Sequence, residues 1–130
     1  ICDRYRNDAE AYAPVDGCDI RWTKNLLECQ LVPDISIILV GAYFRRPGEE
    51  PDINERDTSF RNRVEANLRA IATLEPKKYH LIDVGRVCGG LDKRVGILTV
   101  HEIIAQLLQQ HYGLVCRPPQ ANDLWEVCGC

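Results

Sequence analysis

Two apolar runs stand out along the chain. Ile35-Ser36-Ile37-Ile38-Leu39-Val40 is nearly all apolar and rich in β-branched residues, which predicts a buried strand that can run to Phe44. Tyr79-His80-Leu81-Ile82-Asp83-Val84 predicts a second, ended by Gly85. Between them Phe60, Val64, Leu68 and Ile71 recur at helical spacing, with Arg61, Arg63 and Arg69 turned outward. That helix spans Phe60 to Leu74, is capped by Ser59 or Asp57, and stops at Pro76, because proline disfavours helical geometry in the residue before it. Val100, Ile103, Ile104, Leu107 and Leu108 form the stripe of another helix. Thr99 and Glu102 have the spacing of a capping box at its start, and Gly113 is its natural stop.

The remaining segments are less regular. Residues 1–17 read as an irregular polar arm with room for a short helical turn, closed by Asp16-Gly17. In 18–32, Ile20 and Trp22, then Leu27, Cys29 and Leu31, alternate with polar residues, which predicts a hairpin turning at Lys24-Asn25. An amphipathic helix on Ile20, Leu26, Leu27 and Leu31 is the alternative. Residues 45–57 form a long polar loop, Cys88-Gly89-Gly90 a turn or bulged ribbon, and Leu114-Val115-Cys116 and Leu124–Cys128 short strands around a Pro118-Pro119 turn. The expected fold class is α+β, with one mostly antiparallel sheet and two main helices on one face, ferredoxin-like or a related sandwich. One disulfide-stabilised domain is expected over residues 1–130.

Composition narrows the classes of function. A charge of −3 from 16 basic and 19 acidic side chains lacks the clustered basic excess of a nucleic-acid binder. No apolar run approaches the roughly 20 residues of a membrane span. Seven cysteines, Cys2, Cys18, Cys29, Cys88, Cys116, Cys128 and Cys130, point to an oxidising compartment and a disulfide framework of at most three internal bridges. The odd thiol would stay free or link a dimer; otherwise the chain is expected to be a monomer. The start at Ile1 and the lack of methionine fit a mature form after loss of a signal or pro-segment, and equally a chain cut for expression. Cys128-Gly129-Cys130 is too tight for a zinc pair, so neither metal nor other cofactor is expected.

Candidate chemistry is sparse. His80 reads as a core histidine, His101 lies in the first turn of a helix, and His111 lies in its last turn, where a cation is favoured. Two converging histidines would allow ribonuclease chemistry, but no spacing requires it. Ser36 and Ser59 lie outside any nucleophile motif. Gly85, Gly89, Gly90 and Gly96 match neither phosphate-binding pattern, although Lys93-Arg94 follows three of them closely. Cys88 is the least implausible thiol nucleophile. The residues singled out for binding, on exposure alone, are Arg45, Arg46, Glu49, Glu50 and Arg56.

The closing stretch, with the helix Val100–Tyr112, Gly113, Cys116, the Pro-Pro turn and Leu124–Cys128, resembles the C-terminal helix–turn–strand of small secreted fungal α+β proteins. Those include killer toxins and cysteine-stabilised effectors of plant pathogens. The similarity covers about the last quarter of the chain and carries over no functional residue. It implies a secreted, non-enzymatic virulence or avirulence effector that binds a host protein. A killer-type toxin or a protease or channel inhibitor acting through loop 45–57 is the alternative, and a small secreted hydrolase the third.

Overall fold

In a computed structural model the chain is described over residues 6–41 and 57–116. Seven elements occupy those residues: α1 (Arg6–Tyr12), α2 (Ile20–Glu28), β1 (Ser36–Val40), α3 (Thr58–Leu74), β2 (Tyr79–Asp83), α4 (Val84–Cys88) and α5 (Lys93–Tyr112). They fall into two compact units, Ile1–Asp83 and Val84–Cys130.

In the first unit β1 and β2 pair in parallel, with Ile38 opposite Leu81 and Val40 opposite Asp83. Parallel pairing follows from the connection: a strand leading into a 17-residue helix and back brings the chain to the sheet at the same end. This corrects the expected antiparallel sheet. The described sheet has only these two strands, because residues 18–32, expected as a hairpin, hold the helix α2 instead. Asp19 caps that helix by accepting from the Arg21 amide at 2.7 Å, and Ile20, Thr23 and Leu27 then share one face at helical spacing. Period-two alternation over four or five residues is too short to exclude that reading.

The core of the unit joins Ile38 and Val40 of β1 to Val64, Ile71 and Ala72 of α3 and Ala11 of α1. Asp57 caps α3, accepting from the amides of Ser59 at 2.8 Å and Phe60 at 3.1 Å. The helix ends before Pro76, as its sequence predicts. The polar arm carries more helix than a single turn. α1 packs on α3 through the Tyr12 and Phe60 rings, 6.0 Å apart, and through Asn67, whose side-chain amide donates to the Ala11 carbonyl at 2.9 Å.

In the second unit α5 begins at Lys93, seven residues before the Val100 start that a Thr99 cap would give. Asp92 is the N-cap and accepts from the Arg94 amide at 2.9 Å. Thr99 lies inside the helix, and its hydroxyl donates to the Val95 carbonyl at 2.8 Å. The capping-box spacing is therefore incidental. Gly113 ends the helix with φ 65°, as expected of a left-handed cap. Cys88 closes the short helix α4 rather than a bulged ribbon, and Gly90 with φ 80° makes the turn after it. Gly89 cannot carry a side chain without displacement, since a Cβ there would stand 2.9 Å from the Gly85 carbonyl oxygen. Residues 114–116 are not a strand.

Cys18, Cys29, Cys88 and Cys116 carry free thiols, so the described fold is held by its apolar packing, not by disulfides. This corrects the expectation of a disulfide-stabilised fold for these four positions. Of the expected loop 45–57 all but its last residue, the α3 cap Asp57, lies outside the described residues, as do the expected strand Leu124–Cys128 and Cys2, Cys128 and Cys130.

Candidate functional site

A groove of about 370 Å³ lies between α1 and α2. Its geometry follows from the phase of α2. At about 100° per residue, Thr23 and Leu27 lie about 40° apart, and Trp22 and Leu26 form a second pair rotated about 100° from the first. The Thr23–Leu27 pair turns into the unit and is buried, at 5% and 4% exposure. Thr23 satisfies its hydroxyl within the helix, donating to the Asp19 carbonyl at 3.2 Å. Trp22 and Leu26 extend the apolar arc past the part that α1 covers, and they stay 60% and 54% exposed. The apolar face of α2 is thus wider than the fold needs.

Opposite them, Ala9 and Ala13 line the groove from the α1 side. Alanines at i and i+4 leave the depth that larger side chains would fill. Arg6 holds the far end of the helix pair, its guanidinium 3.5 Å from the Gln30 carbonyl oxygen and 3.9 Å from Glu10. Asp16 and Cys18 line the other end, in the connection between the helices. That connection is fixed by backbone bonds from Cys18 to Ala13 at 2.8 Å and from Asp16 to Tyr12 at 3.0 Å. Gly17 adopts φ 84°, which supplies the tight reversal read from Asp16-Gly17.

Several polar residues of the described fold are committed to structure. Arg69 on α3 binds Glu65 at 2.7 Å and Asp83 at 2.6 Å, and these two carboxylates hold its guanidinium above the ordinary arginine range. Cys88 is buried at 3% exposure and donates its thiol hydrogen to the Gly96 carbonyl at 3.4 Å. A thiol so enclosed is a packing group rather than a nucleophile.

His80 is half-buried in β2. His101 and His111 both lie on α5, ten residues and so about 15 Å apart along the axis. They cannot meet on one phosphate. Gly85 lies in α4 and Gly96 in α5, so the four glycines build no phosphate loop; Lys93 and Arg94 open α5. No group of His, Cys, Asp and Glu that could hold a metal ion occurs among the described residues. No helix among them is long and apolar enough to cross a membrane.

The binding residues expected from exposure, Arg45, Arg46, Glu49, Glu50 and Arg56, lie outside the described residues. Of the cysteines, Cys18 lines the groove, Cys29 is the exposed C-cap of α2, and Cys116 is half-buried. Sequence reading missed the groove because it placed a hairpin there. The available signal was Trp22 and Leu26 at i and i+4, beside a second pair at Thr23 and Leu27. No protein-family model, no curated protein and no solved structure matches this chain.

Proposed function

We propose that this chain is an interaction protein that binds another protein through the face formed by α1 and α2. The observation that carries the reading is the exposed Trp22–Leu26 pair at the side of an apolar groove. An apolar concave patch with a large aromatic anchor has the make-up of a binding hot spot. Completing the burial of those two side chains would contribute roughly 3–5 kcal/mol before the costs of association.

The wider reading, a secreted effector whose partner is a host protein, rests on sequence features. These are the share of cysteine, seven residues in 130, and the pattern of the C-terminal stretch. The surface itself rests on geometry. Affinity capture from host extract tests both, with wild-type protein compared against Leu26→Glu. The expected result is a host protein captured by the wild type and lost with the variant. Capture that is indifferent to Leu26→Glu overturns the surface, and capture of nothing overturns the interaction reading.

A further inference from the structure

The groove has a charge pattern that its apolar walls do not explain. Among the described residues Asp16 is the only charged one lining it. Its side chain is exposed and makes no ion pair or hydrogen bond among the described residues. From Arg6 to Gln30 the helix pair carries three basic and five acidic side chains, a local excess of two negative charges. The basic ones are also poorly placed to offset Asp16. Arg21 and Lys24 lie about 120° and 180° around α2 from the Trp22–Leu26 pair. Arg6 sits at the opposite end, against Gln30 and Glu10.

We infer that the occupant of the groove is a basic amphipathic helix of the partner protein. It would present large apolar residues at i and i+4 and a lysine or arginine about one turn beyond them. The apolar pair fills the space over Ala9 and Ala13 against Trp22 and Leu26, the helix-in-groove mode of recognition. The cation reaches Asp16 at the connection end. Charge then fixes which way the helix lies, because the reversed orientation would bring its cation to Arg6.

This inference rests on the proposed binding face and adds the sign and direction of the partner. The test uses three synthetic helical peptides titrated into the full chain by calorimetry. One has leucines at i and i+4 with a flanking lysine, one has glutamate in place of that lysine, and one has glutamines in place of the leucines. The lysine peptide is expected to bind wild type about three- to fivefold more tightly than the glutamate peptide. Asp16→Asn should weaken the lysine peptide by a similar factor and leave the glutamate peptide no weaker. High salt should shrink the difference. Equal binding of the lysine and glutamate peptides overturns the charge inference and leaves the binding face standing. Binding that survives both the glutamine peptide and Leu26→Ala, or no binding by either leucine peptide, removes the face and the inference with it.

Discussion

Arg69 and Asp83 join the crossover helix to the end of the strand it leads into, with Arg69 Nη2 2.6 Å from Asp83 Oδ2. The same guanidinium takes Glu65 one turn back along α3, so one cation holds two carboxylates. Asp83 is the last residue of β2 and pairs in register with Val40, the last residue of β1. The contact therefore locks the helix at one position along the parallel pair.

The pH dependence of that lock follows from its sign. The folded state raises the Arg69 pKa, chiefly through the hydrogen bond it donates to Asp83 and then those it donates to Glu65. A raised pKa gives stability that is fully present below the unfolded value and lost only as pH rises through the folded value. For arginine that window lies well above the range in which lysine titrates. The difference in thermal midpoint between wild type and Arg69→Met should therefore stay constant from neutral pH to about pH 10, a range in which ordinary lysines begin to lose charge. A difference that shrinks across this range would show that other groups carry the contact.

Neighbouring leucines on α2 should behave oppositely. Leu27 is buried, so Leu27→Ala should cost about 2–4 kcal/mol in denaturant unfolding. Leu26 is half in water, so Leu26→Ala should cost less than about 1 kcal/mol. Equal costs would mean that the groove side of α2 is part of the core.

Helix ends offer a local check. Asp57→Ala removes the side chain that accepts from Ser59 and Phe60, and should destabilise by about 1 kcal/mol. Gly113→Ala meets no atom within 4 Å, so its cost comes only from placing a Cβ at φ 65°, about 1 kcal/mol. A larger loss at Gly113 would point to a packing role instead.

Thiol chemistry separates the described cysteines. In native protein under reducing conditions followed by rapid alkylation, Cys18 and Cys29 should be modified quickly, because both are exposed. Cys88 should react only after denaturation, being buried with its thiol bonded to Gly96. Peptide mapping by mass spectrometry reads the three sites in one experiment. Fast native labelling of Cys88 would overturn its assignment as a packing group.

Much of the secondary structure follows from local signals. The strands at Ser36–Val40 and Tyr79–Asp83 are short β-branched and apolar runs, and α3 is bounded by a capping aspartate and a proline. Such features act within a few residues of themselves, so they can be read without knowing the fold. The segment 18–32 resisted because alternation and helical spacing both fit its apolar residues. The Asp19 cap and packing against α1 decide between them.

The positions of both strands, the crossover helix and the Gly113 stop are legible in the amino-acid order alone, because propensity, capping and proline act locally. Packing between elements sets the rest: the strands run parallel, Cys88 is buried against Gly96, and Trp22 and Leu26 stay in water above two alanines. Those relations join residues from separate elements. They depend on how much of each apolar face a neighbouring element covers, a quantity that no single segment carries.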